Sequence, residues 1–126
     1  MRMTFLIADD NLRMREAIKR TICGGVPDDH TIYEASDGGE AIDLYERVRP
    51  DWVLMDIKME PIDGLVASRA IMAAHPDAKI IILTQYNDGV YHKAAKNARV
   101  RAFLLKEHLS EIPTILSECS RNDSLL

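Results

Sequence analysis

Four short stretches of this chain are almost wholly apolar, and each stops at a polar residue. They are residues 4–8, 52–55, 79–84 and 102–105. Runs this short, without polar alternation, fit strands buried on both faces of a parallel sheet. A fifth run, residues 30–35 (HTIYEA), mixes polar and apolar side chains and reads as an edge strand.

Helical spacing fills the gaps between the runs. Met14, Ala17, Ile18, Thr21 and Ile22 form one apolar stripe, ended by Gly24, Gly25 and Pro27. Asp37 with Glu40 three places later reads as a capping box, followed by the stripe Ala41, Leu44, Tyr45 and Val48 and closed by Pro50. A third stripe is Ala67, Ala70, Ile71 and Ala74, stopped by Pro76. A fourth helix, near residues 88–98, shows the weak stripe Val90, Ala94 and Asn97. The last carries Leu109, Ile112, Leu116 and Cys119, with Pro113 tolerated in its first turn.

Strand and helix thus alternate five times. That alternation implies right-handed crossovers and a doubly wound α/β sheet with helices on both faces. The chain has 126 residues, enough for one domain of five strands. The expected order is 2-1-3-4-5, a flavodoxin-like arrangement that leaves the mixed second strand on an edge. The domain is expected to span residues 1–120, with 121–126 a tail or the start of a linker.

The net charge is −4, which argues against a surface that tracks nucleic-acid phosphates. No apolar run approaches the length of a membrane helix, and the N-terminus lacks the pattern of a secretory signal, so a cytoplasmic location is expected. Cys23 and Cys119 are isolated and read as buried or half-buried thiols. His30, His75, His92 and His108 read as surface or turn residues.

In such sheets ligands bind beyond the carboxyl ends of the strands, near the point where strand order reverses. Asp9 and Asp10 follow the first run, Asp56 the third, Thr84 ends the fourth and Lys106 follows the fifth. The expected order gathers all five at one rim. Two carboxylates ~4 Å apart repel by about 4 kcal/mol at an effective dielectric near 20. A cluster of three therefore takes up protons or holds a cation, and hard oxygen ligands favour Mg²⁺. Lys106 adds positive charge and Thr84 a hydroxyl donor, which suits phosphoryl transfer. Asp56, alone at the centre of the rim, is the candidate nucleophile, and Asp9 and Asp10 are candidate metal ligands.

These residues carry a resemblance. The segments IADDN, LMDIKMEPIDG, ILT and FLLK, in this order, resemble the receiver domain of two-component response regulators over essentially the whole chain. The helices also resemble those of LuxR-type transcription regulators. The resemblance implies a switch and not a turnover enzyme, with Mg²⁺-dependent self-phosphorylation and slow self-dephosphorylation. Asp56 would accept phosphate from a sensor histidine kinase. Asp10 would bind Mg²⁺ directly, Asp9 through water, and the backbone carbonyl of Lys58 would be a further ligand. Lys106 would bridge to the phosphoryl group, Thr84 would swing toward it, and Phe103 would turn inward. The face from the fourth to the fifth helix would carry phosphorylation-dependent pairing with a second copy. DNA would be reached only through an output domain outside this chain.

The sequence departs from the family pattern in three places. Pro61 comes one residue late, after Glu60. Glu107 stands where a proline usually follows the lysine, which disfavours a cis peptide. Gln85 stands where the family has a small residue. Lys58 and Tyr86 flank the acceptor, and bulky Tyr86 and Gln85 would slow attack by water. Two other readings compete. One is a scaffold that no longer needs phosphate. The other is an Asp-nucleophile phosphatase, disfavoured because Asp9 and Asp10 are adjacent instead of two residues apart.

Overall fold

The computed structural model describes residues 2–26, 29–86 and 88–119. Five parallel strands form one sheet: β1 (Met3–Ala8), β2 (His30–Ala35), β3 (Trp52–Asp56), β4 (Ile80–Thr84) and β5 (Ala102–Leu105). Their order is β2-β1-β3-β4-β5, the order expected from the sequence. The helices are α1 (Leu12–Gly25), α2 (Gly38–Val48), α3 (Gly64–Ala74), α4 (Gly89–Asn97) and α5 (Ile112–Cys119). A 3-10 turn, Lys106–Glu111, leads into α5.

Successive strand side chains point to opposite faces, so each apolar run feeds two cores. Leu6, Val53, Met55, Ile80 and Ile82 pack with Ala41 and Tyr45 of α2, Ala67 and Ile71 of α3, and Ala95 of α4. Phe5, Ile7, Leu54, Ile81 and Leu83 pack with Ile18 and Ile22 of α1 and with Ile112, Ile115 and Leu116 of α5. The two faces explain why the runs show no alternation. β2 pairs only with β1 and is only partly covered, which explains its mixed composition.

Local chemistry sets the helix starts. The Asp37 side chain accepts the Glu40 amide at 2.9 Å, and Glu40 Oε1 accepts the Ser36 amide at 3.1 Å. The expected capping box forms, with the return bond reaching one residue further back. Asn11, Asp63 and Asp88 cap α1, α3 and α4 in the same way.

Helix α1 ends at Gly25, within the glycine pair that was expected to end it. A Cβ on Gly25 would stand 2.4 Å from Pro113 Cγ, so this glycine serves the close approach of α5. Some expectations need correction. In α3 the buried positions are Gly64, Leu65, Ala67, Ser68 and Ile71, while Ala70 and Ala74 are exposed. In α4 the expected stripe is out of phase. Val90 is 74% exposed and Asn97 is exposed, while Ala95 and Ala98 are buried. Alanines carry too little apolar signal to reveal that phase. The Lys106–Glu107 peptide is not cis, as expected, and among the described residues the cis peptide is Glu60–Pro61. Pro27, the 121–126 tail and the Cys119 side chain lie outside the described residues. Cys23 is a free thiol but is exposed, not buried or half-buried as expected, because it lies on the solvent side of the last turn of α1.

Candidate functional site

β1 and β3 lie side by side where the strand order reverses, and their carboxyl ends carry the acidic residues. Carboxylate oxygens of Asp9, Asp10 and Asp56 lie within 4.8 Å of one another. Asp9 and Asp56 are buried and Asp10 is exposed. Lys106 reaches in from the end of β5, with Nζ 2.7 Å from Asp9 Oδ2 and 3.3 Å from Asp56 Oδ1.

The electrostatics follow from burial and crowding. Desolvation, together with the charge of Asp9, raises the Asp56 pKa to about 6, and Lys106 only partly offsets this. Burial alone would lower the Lys106 pKa, but the close carboxylates of Asp9 and Asp56 outweigh it and leave it raised. Asp56 is thus mostly ionised at neutral pH beside an ammonium that stays charged. Asp9 Oδ2 is buried and, although 2.7 Å from Lys106 Nζ, has no hydrogen-bond partner among the described residues. A buried carboxylate oxygen short of donors, next to two further carboxylates, is a hard donor set that fits a divalent ion such as Mg²⁺.

The loop after β3 closes the pocket. The Gly64 amide donates to the Ile57 carbonyl at 2.9 Å, and a Cβ on Gly64 would stand 1.7 Å from the Asp56 carbonyl oxygen. Only a glycine lets α3 begin so close to the acidic strand end. Among the described residues no backbone amide donates to the Lys58 carbonyl, which leaves it free to act as a ligand. A cleft of about 230 Å³ is lined by Asp10, Asn11, Asp56, Lys58, Gln85, Tyr86 and Lys106. A second cleft adjoins it at Asp10 and Lys58, bordered by Glu60 and Pro61.

The structure therefore brings Asp9, Asp10, Asp56, Lys58 and Lys106 together. Thr84 stands apart from them in one respect. It ends β4 and is fully buried, and its hydroxyl accepts the Tyr86 amide at 3.2 Å without lining the cleft. Phe103 is half-buried on β5, its ring 5.1 Å from that of His92 on α4. His92 is thus an exposed helix residue with an aromatic contact, and His75 faces Glu46 and the Tyr45 ring.

Two participants were missed in the sequence. Lys58 Nζ sits over the rings of both Tyr86 and Tyr91, 5.4 and 5.1 Å from their centroids. The correct phase of α4 would have pointed Tyr91 this way. Arg15 Nη1 donates to the Asp9 carbonyl oxygen at 2.6 Å. No sequence pattern announces that bond, because it depends on how α1 crosses the strand end.

Residues 5–117 match the family model of the response regulator receiver domain. The transcriptional regulatory protein DegU of Brevibacillus brevis is 32% identical over 106 residues, covering 84% of this chain and 44% of DegU. The transcriptional regulatory protein HptR of Staphylococcus aureus is 39% identical over 101 residues, covering 80% of this chain and 39% of HptR. The chain spans under half the length of these curated relatives. A LuxR-family DNA-binding response regulator from Staphylococcus aureus superposes with a TM-score of 0.84 at 26% identity, covering 92% of this chain and 97% of that one. A LuxR-family two-component response regulator from Aurantimonas sp. SI85-9A1 gives 0.88 at 25% identity, covering 98% and 89%. With its sheet order, its acidic rim and the extent of these matches all in agreement, the chain belongs to the response regulator receiver domain family.

Proposed function

We propose that this chain is a phosphorylation switch that takes a phosphoryl group on Asp56 from a sensor histidine kinase. The observation that carries the reading is the convergence of three carboxylates within 4.8 Å, with Lys106 Nζ 3.3 Å from Asp56 Oδ1. An Asp56 carboxylate oxygen attacks phosphorus, the bond from phosphorus to the donor breaks, and the donor leaves with that electron pair. Lys106 meets charge on the phosphoryl oxygens and holds Asp9 in place. Mg²⁺, held by Asp9, Asp10, Asp56 and the Lys58 carbonyl, supplies further charge compensation when bound. The Thr84 hydroxyl exchanges its Tyr86 amide bond for a phosphoryl oxygen, and Phe103 turns into the space it leaves.

The readout belongs to the face of α4, β5, the 3-10 turn and α5, where Val90 and His92 are exposed. Phosphorylation biases two arrangements of this face and promotes pairing with a second copy. The domain spans residues 1–120 and acts in the cytoplasm. Among the described residues no helix is long and apolar enough to cross a membrane. Transcription is controlled through an output domain, as the names of the relatives suggest. Self-phosphorylation by small donors and slow self-dephosphorylation complete the cycle.

Intact-mass measurement after treatment with acetyl phosphate and Mg²⁺ tests this. The parent gains one phosphoryl group, and Asp56→Asn and metal-free samples do not. A parent that gains nothing is the phosphate-independent scaffold.

A further inference from the structure

The two adjacent carboxylates of the acidic rim are held in different ways. Asp9 is gripped on several sides. Its Oδ1 accepts the Asn11 amide at 2.9 Å, its Oδ2 lies 2.7 Å from Lys106 Nζ, and its amide donates to the Ala35 carbonyl at 3.0 Å. Asp10 is exposed, and among the described residues its carboxylate has no hydrogen bond or ion pair. Its direction is therefore set by the backbone, above all by the peptide plane it shares with Asp9.

One side chain grips that plane. Arg15 Nη1 donates to the Asp9 carbonyl oxygen at 2.6 Å, and its Nε donates to Glu34 Oε1 on β2 at 2.9 Å. Lys19 Nζ holds the other Glu34 oxygen at 3.0 Å. The Arg15 side chain is only 16% exposed, and a planar guanidinium bonded at both ends has little freedom. Burial would raise the Glu34 pKa, but the bonds from Lys19 and Arg15 outweigh it and keep the anchor ionised. The chain of contacts runs from the edge strand through α1 to the acidic loop.

We propose that Arg15 is a positioning residue: it clamps the Asp9–Asp10 peptide plane, with Glu34 as its anchor, and so presents the Asp10 carboxylate to a divalent ion. The inference rests on the reading of the rim as a Mg²⁺ pocket. It carries a sign that plain electrostatics does not. Arg15 is a cation beside an acidic cluster, so its loss should tighten Mg²⁺ by Coulomb's law alone. Loss of the clamp should weaken it.

Isothermal calorimetry with MgCl₂ on the parent, Arg15→Met and Arg15→Lys separates the two, with melting recorded in metal-free buffer. The clamp predicts about tenfold weaker Mg²⁺ binding in both variants, the lower end for loss of an outer-shell partner. Arg15→Lys is the sharper case, because it keeps the charge and loses only the fork. Should Arg15→Met fail to fold, Arg15→Lys decides alone. Unchanged affinity in Arg15→Lys, or tighter binding in Arg15→Met, overturns the proposal. So does a fall in melting temperature with no change in Mg²⁺ affinity, the mark of a merely structural role. A parent that binds no Mg²⁺ removes the metal pocket itself, and the clamp with it. A parent that binds Mg²⁺ as tightly as Arg15→Lys removes only the clamp.

Discussion

Helices α1 and α4 flank the same acidic rim, but they are attached to the sheet by different means. α1 has 14 residues and buries Ile18 and Ile22 against Phe5, Ile7 and the α5 side chains. It is further tied to β2 by ion pairs from Arg15 and Lys19 to Glu34. α4 has 9 residues and buries only Ala95 within its span. Val90 faces solvent, and among the described residues no ion pair from α4 to another element is formed. Large apolar contacts plus charge pairs make an element costly to displace, while a helix seated on alanines opens at low cost. The lesson is a division of labour. In the proposed switch, the α1 side would hold the acidic loop still while the α4 side shifts.

The widest separation between the two sides should appear in stability. Ile18→Ala should cost about 3 kcal/mol through lost burial and a residual cavity. Urea unfolding would measure it, and a loss near zero would erase the contrast from the α1 side.

The rim itself should show the next effect, because it gathers repelling charges that stability does not require. Without metal, Asp56→Asn should be more stable than the parent at pH 7 by on the order of 2 kcal/mol, since the folded state disfavours the ionised carboxyl. The sign is that of a raised acid. The folded parent binds more protons than the unfolded chain between the ordinary carboxylate range and about pH 6, so this group's contribution to stability falls as pH rises through that window. The advantage of Asp56→Asn should therefore shrink as pH drops from 7 toward 4. An advantage independent of pH would mean that Asp56 carries no such penalty.

These two sites also mark how far the sequence could be read. Ile18 and Ile22 lie on a stripe of strong apolar residues, and the strands are continuous apolar runs, so topology and core followed from spacing. Asp9, Asp10, Asp56 and Lys106 each sit next to such a run, so sheet order was enough to gather them. The phase of α4 was not legible, because Ala94, Ala95 and Ala98 give almost no contrast and Val90 misleads. Arg15 was hidden for another reason. Its partners are a backbone carbonyl and Glu34 on the neighbouring strand, and such contacts leave no periodic trace. Tyr91 was lost with the phase of its helix.

Smaller effects sharpen the α4 side. Ala95→Gly should cost about 1 kcal/mol from backbone entropy, again by urea unfolding. A cost as large as that of Ile18→Ala would mean that α4 is as firmly seated as α1. Tyr86→Ala removes one of the two rings beneath Lys58 and opens the cleft over Asp56. Decay of the phosphorylated form, followed by intact mass, should become faster. An unchanged decay would place Tyr86 outside the path of water. Val90→Lys should change stability by less than about 0.5 kcal/mol, as for an exposed position without partners.

Amide hydrogen exchange, with and without Mg²⁺ and beryllium trifluoride as a phosphoryl mimic, tests the division most directly. The α4 and β5 amides should change their protection when the mimic binds, while those of α1 keep theirs. A change concentrated in α1, with α4 silent, would contradict it.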